Sequence, residues 1–130
     1  MDWTPVSISA GAVVGALGRY YANQFWVAFQ GTGFPYGTLF VNLTGALGIG
    51  FAATVLEQGL HSSPPLTNVL LVGFFGAYTT FSTYVLDIDN LRRVKAHGVV
   101  LLYGLGSPVL GFVLVELGRL LALGFLGFTP

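Results

Sequence analysis

Hydrophobic residues dominate four long stretches, at 5–27, 36–56, 66–86 and 98–123, and polar residues collect between them at 28–35, 57–65 and 87–97. Each stretch meets the ~20 residues that a helix needs to cross about 30 Å of hydrocarbon. The pattern therefore predicts four transmembrane helices. The separators are short, so neighbouring helices are expected to run antiparallel, with both termini on one side. Pro64-Pro65 reads as a stop signal in the second separator, and 87–97 holds most of the charge found in the separators. No internal repeat is visible and no stretch remains for a soluble domain, so residues 1–130 are expected to form a single four-helix transmembrane domain. The opening Met-Asp-Trp-Thr-Pro lacks the basic start of a cleaved signal peptide, so the first apolar stretch is expected to stay as a membrane helix.

Composition agrees with the pattern. The chain is 54% hydrophobic and 8% charged, with mean hydropathy +0.77; a soluble domain carries roughly 25% charged residues. Its formal net charge is zero and it has no basic stripe, which argues against a nucleic-acid partner. The absence of cysteine excludes disulfides, thiolate metal sites and cysteine nucleophiles. No nucleophile–base pair, metal-ligand cluster or phosphate loop stands in a suitable context, so the chain does not read as an enzyme.

The third stretch contains Gly76-Ala77-Tyr78-Thr79-Thr80-Phe81-Ser82-Thr83-Tyr84, in which hydroxyl side chains and a glycine interrupt apolar sequence. Lipid-exposed helices cannot break, because freed backbone groups need protein or a water-filled cavity to satisfy them. The interruption thus suggests a broken helix at an ion site or pore. Phe81 and Tyr84 are three apart and share a helical face; aromatic rings carry a positive edge that can face an anion, although core packing is the ordinary use of such a pair. The neighbouring hydroxyls of Thr79, Thr80, Ser82 and Thr83 favour the ion reading.

Other polar residues have two readings each. Arg19 at membrane depth costs on the order of 2.5–3.5 kcal/mol at a helix centre. It either snorkels to headgroups or serves a vestibule that concentrates anions. The Asn42 amide either donates to an anion or ties helices together. Tyr103, Ser107 and Gly111, four residues apart in the last stretch, form a one-sided stripe suited to a helix contact or a pore wall. Glu116 and Arg119 are spaced to pair on a helix surface, and Glu57 and His61 are assigned to a loop.

Four helices in so short a chain enclose few positions, so oligomerisation is expected. Gly11/Gly15 and Ser107/Gly111 are small-xxx-small pairs of the kind that let helices approach closely in lipid. Arg92, Arg93, Lys95 and Arg19 lie toward one side of the membrane and Arg119 toward the other. This modest bias favours the first side being cytoplasmic, with the termini outside, and leaves insertion in both orientations open.

Taken together, Gly18-Arg19-Tyr20, Gly37-Thr38-Leu39-Phe40-Val41-Asn42, the run Gly73 to Tyr84, and Tyr103-x3-Ser107-x3-Gly111 resemble the Fluc/CrcB family of small fluoride channels across all four stretches. The resemblance implies an antiparallel dimer of four-helix subunits in the cell membrane, with two fluoride pathways along the subunit interface. Fluoride that enters cells as neutral HF and dissociates in the cytoplasm would leave passively, conferring resistance. By the same resemblance Asn42 is the polar pore residue of the second helix, and Phe81 and Tyr84 occupy two aromatic box positions. Tyr103 and Ser107 fall on the polar side of the fourth helix, Thr38, Ser82 and Thr83 supply hydroxyls, and Arg19 lies near a vestibule. The carbonyls of Gly76 and Thr79 from both subunits would hold a structural Na⁺.

The chain departs from that family at Tyr84, where Phe is usual, at Asp87, where Glu is frequent, and at Ala77, where a second Gly is common. Its charge bias leaves a heterodimer with a related subunit open beside the homodimer. Two other classes compete. A small dual-topology proton-coupled multidrug exporter needs a carboxylate at membrane depth, and the first stretch has Arg19 and no acid. A non-transporting assembly subunit would use its small residues only for packing.

Overall fold

The computed structural model describes residues 3–59 and 64–127, and every regular element among them is helical. Helix α1 spans Thr4–Gln30 and α2 Tyr36–Thr54, with a wider turn continuing α2 through Val55–Gly59. The short helix α3, Pro64–Thr67, leads through wide turns over Asn68–Phe75 into α4, Gly76–Tyr78. Helix α5 covers Phe81–Arg93 and α6 His97–Phe125.

Local chemistry sets the boundaries. Pro5 stands in the first turn of α1, where a missing N–H costs nothing. Gly31, at φ +74, closes that helix with its amide on the Val27 carbonyl at 2.9 Å. Pro64 and Pro65 open a helix rather than stop one: they occupy the turn whose N–H groups lack intrahelical acceptors anyway. The charged stretch expected as a loop is largely helical, because α5 continues to Arg93. Arg92 and Arg93 sit in its last turn, where positive charge complements the helix dipole, and both reach back to Asp89, at 3.3 and 2.7 Å. The connection to α6 is therefore only 94–96. Glu57, assigned to a loop, lies in the wide turn after α2; His61 falls outside the described residues.

Between α4 and α5 the helical path is interrupted. Thr79 (φ −83, ψ 159) and Thr80 (φ −150, ψ 119) are both extended.

Packing pairs α1 with the 64–78 rod and α2 with α6, while α5 lies mainly on α6. Glycines make both crossings close. A Cβ at Gly11 would overlap the Val69 carbonyl and one at Gly15 the Phe74 carbonyl; at Gly50 and Gly118 it would strike the carbonyls of Val115 and Leu47. Gly11/Gly15 is thus occupied within the chain, because the small stripe faces its own third rod. Gly111, by contrast, has open space beside it.

Three helical runs among the described residues, Tyr36–Gln58, Pro64–Arg93 and His97–Phe125, are long and apolar enough to cross a membrane, with mean hydropathies of 1.8, 1.5 and 2.1. Helix α1 has the length, at 27 residues, but its second half carries Arg19, Asn23, Gln24 and Gln30.

Candidate functional site at the Thr79–Thr80 interruption

Extended backbone inside an apolar rod must find hydrogen bonds outside the helix. Two neighbouring helices supply them. Asn42 of α2 donates its Nδ2 to the Thr80 carbonyl at 3.0 Å and accepts the Thr80 amide on Oδ1 at 2.8 Å. The carboxamide therefore acts as a piece of peptide backbone. Arg19 of α1 lies with Nη1 at 3.5 Å from the Thr79 carbonyl. Both residues converge on the interruption.

Thr80 starts α5 as its N-cap. Its Oγ1 accepts the Thr83 amide at 3.2 Å, meets the Thr83 hydroxyl at 3.0 Å, and lies 3.3 Å from the Ser82 hydroxyl. Ser82 and Thr83 thus belong to a cap network. On the preceding turn Thr79 Oγ1 donates to the Phe75 carbonyl at 2.9 Å. Tyr78 stacks on Phe74 with ring centroids 5.5 Å apart, and its hydroxyl lies 3.0 Å from that of Thr44.

Past the interruption a groove of about 170 Å³ runs between α2, α5 and α6, lined by Asn42, Leu43, Phe81, Tyr84, Ser107, Pro108 and Gly111. The fold therefore collects Asn42, Phe81, Tyr84 and Ser107 from three separate helices. Ser107 is buried, whereas Phe81 is 77% exposed and forms an open edge. The Phe81 and Tyr84 rings lie 5.7 Å apart, tilted, and Tyr84 is 5.3 Å from Tyr103.

Tyr103, only 2% exposed, leads away from this groove. Its hydroxyl donates to Asp87 Oδ2 at 3.3 Å, and Thr38 is buried nearby. Asp87 and Thr38 line a second cavity of about 510 Å³, between the end of α1, the 31–35 turn, the start of α2 and α5. The Tyr103 hydroxyl thus has an acceptor within the chain. In the sequence Asp87 stands out only as a replacement for Glu; its tie to Tyr103, on another helix, leaves no local sign.

For a structural cation at Gly76 and Thr79, the donor chemistry is apt. In a continuous helix the Thr80 amide would donate to the Gly76 carbonyl; here it goes to Asn42. Space beside Gly76 is open. Uncharged oxygens freed from a helix suit a hard cation, while the Arg19 guanidinium beside the Thr79 carbonyl opposes one.

Residues 6–119 match the family described as CrcB-like protein, Camphor Resistance (CrcB). The chain belongs to the CrcB-like family. It is 44% identical over 119 residues to the fluoride-specific ion channel FluC of Synechocystis sp., covering 92% of each chain. The protein of the same name from Trichormus variabilis is 45% identical over 121 residues, covering 90% of this chain and 86% of that one. One from Hydrogenobaculum sp. is 39% identical, with 89% and 94% covered. With its apolar spans, this CrcB-like chain is a multi-pass membrane protein.

Two features of this CrcB-like site carried a signal in the sequence that went unread. Thr80-x-x-Thr83 has the spacing of an N-cap residue and the amide it holds. Asp87 is a neighbour of Tyr84 one turn further along α5, and a carboxylate in so apolar a run calls for a hydrogen-bond donor.

Proposed function

We propose that this chain is a fluoride-selective channel that lets the anion leave the cytoplasm passively and so confers fluoride resistance. The observation that carries the proposal is the convergence of the Asn42 amide, the Ser107 hydroxyl and the Phe81 and Tyr84 rings on one groove, in a chain whose relatives are named fluoride-specific channels.

Fluoride is small and strongly hydrated, so a selective path must replace its water with closely placed donors. Amide, hydroxyl and ring-edge groups do this without a fixed positive charge that would trap the ion, and conduction requires binding weak enough to leave. Asn42 retains one Nδ2 proton after bonding the Thr80 carbonyl, and that proton is the donor we assign to the ion. Ser107 is the second donor, and Phe81 and Tyr84 form the wall that excludes water. Arg19 raises the local anion concentration near the interruption. Thr38 and Tyr103 act with Asp87 at the wider cavity, and Ser82 and Thr83 stabilise the turn beside the path.

A groove with Phe81 mostly exposed does not enclose an ion. We therefore propose that two copies associate antiparallel and close each other's grooves, with α1 as a fourth spanning helix in each. Inserting identical chains both ways would supply the two orientations; a related subunit could stand in for one copy. A Na⁺ held by the Gly76 and Thr79 carbonyls of both copies would supply a central charge that ties the subunits together.

Purified chain in liposomes tests the whole reading. A fluoride electrode should record rapid fluoride release, with no chloride release in a parallel assay. Silence from well-folded protein would refute a self-sufficient channel.

A further inference from the structure

Helix α6 contains Pro108 at an interior position. A proline has no N–H, so the carbonyl four residues earlier, that of Gly104, loses its intrahelical donor. At membrane depth no water replaces that donor, and an unpaired carbonyl is costly. The Tyr84 hydroxyl, from α5, donates to the Gly104 carbonyl. One helix thus repairs the backbone defect of the next.

This pairing changes what Tyr84 can offer an ion. A phenol carries a single proton, and here the proton is committed to Gly104. Pro108 and Tyr84 both line the 170 Å³ groove, so the defect and its repair lie in its wall. The ring is fixed at its far end by this bond and flanked by Phe81 and Tyr103, at 5.7 and 5.3 Å. We infer that Tyr84 is a positioning residue matched to Pro108: its hydroxyl caps the Gly104 carbonyl that the proline leaves open, and the groove therefore meets an aromatic ring and not a hydroxyl donor. The tyrosine behaves toward the anion as a phenylalanine would, while its oxygen secures α5 to α6. The consequence for ion passage rests on the fluoride-channel reading; the structural pairing does not.

The two parts are tested separately with Tyr84→Phe, Pro108→Ala and the double variant. Alanine restores the 108 amide, which takes the Gly104 carbonyl. In thermal melts of purified protein, Tyr84→Phe alone is expected to lower the midpoint by about 4 °C; in the Pro108→Ala background it should change it by less than about 1 °C. Equal losses in the two backgrounds overturn the pairing. A Tyr84→Phe chain that misfolds alone but folds beside Pro108→Ala is the expected result in its strongest form, and misfolding in both backgrounds overturns it.

In fluoride efflux from liposomes, Pro108→Ala alone should slow release about tenfold, because the freed phenol becomes a donor that holds the anion. Adding Tyr84→Phe should return the rate to within about threefold of the parent chain. A double variant no faster than Pro108→Ala overturns the positioning role. If the parent chain itself conducts no fluoride, the channel reading fails while the melting cycle still decides the pairing.

Discussion

Asn42 and Thr80 exchange two hydrogen bonds, at 3.0 and 2.8 Å, across 38 residues of sequence. The side chain replaces the helical partners that the Thr80 peptide has given up, and the interruption keeps its shape because α2 holds it. The residue we propose for the ion path is therefore also a structural tie, and substitution separates the observed role from the proposed one. Asn42→Asp keeps the acceptor for the Thr80 amide but loses the donor to the Thr80 carbonyl, and it brings negative charge to the groove. Fluoride efflux should fall by more than tenfold, with a stability loss of about 1–3 kcal/mol. Asn42→Ala should cost similar stability. Efflux and a denaturation midpoint on the same preparations check both; unaltered efflux in Asn42→Asp would remove Asn42 from the path.

Phe81 offers the opposite case. With 77% of its surface exposed, it contributes little to the fold of one subunit, and Phe81→Ile should leave subunit stability within about 0.5 kcal/mol. Isoleucine has no positive ring edge to present. Fluoride efflux should fall at least tenfold while size-exclusion behaviour stays that of the parent. Parental efflux in this variant would place the path elsewhere.

The helical class was legible because long apolar runs with few charges leave little choice in a bilayer. Boundaries were less so. Pro64-Pro65 looks like a terminator by residue type, yet only its position relative to the free N–H groups decides whether it ends or begins a helix. The charged residues 87–93 look like a loop until Arg92 and Arg93 are seen to fold back on Asp89 one turn earlier. Sequence drew attention to residues 76–84 but did not separate hydroxyls that bond each other, as Thr80 and Thr83 do, from hydroxyls free to meet an ion. The ties from Asn42 to Thr80, Tyr103 to Asp87 and Tyr84 to Gly104 join different helices, and no local period encodes them. Gly11/Gly15 shows the same gap: the spacing reports a close helix crossing without naming the helix crossed.

Close crossings also predict where bulk is tolerated. Gly118→Val would push a side chain into the Leu47 carbonyl, and backbone does not move aside as a flexible side chain does. It should destabilise the subunit by about 1–3 kcal/mol. Gly106→Ala, with open space beside it, should be close to neutral in the subunit fold. Melting of the two variants in detergent checks the contrast, and equal losses would argue against the α2–α6 packing.

The Gly76 and Thr79 carbonyls make a prediction about the bathing cation. If they hold Na⁺ between two copies, exchanging Na⁺ for a large organic cation that carbonyls cannot encircle should lower the melting temperature and slow fluoride release. Titrating Na⁺ back should restore both along one saturable curve. Indifference of both to the exchange would remove the ion from the assembly.

Arg19 stands 3.5 Å from the Thr79 carbonyl, and its charge and its contact predict different salt behaviour. An exposed-side attraction between guanidinium and approaching anions is screened over about 30 Å at 0.01 M ionic strength but only about 3 Å at 1 M. Arg19→Gln should therefore slow fluoride efflux severalfold in dilute impermeant salt, and the gap to the parent chain should close as that salt is raised. Arg19→Lys, which keeps the charge and loses the planar fork, should track the parent in dilute salt. If Arg19→Gln is slower by the same factor at every ionic strength, and Arg19→Lys is equally slow, the residue acts by holding the Thr79 backbone and not by drawing anions in.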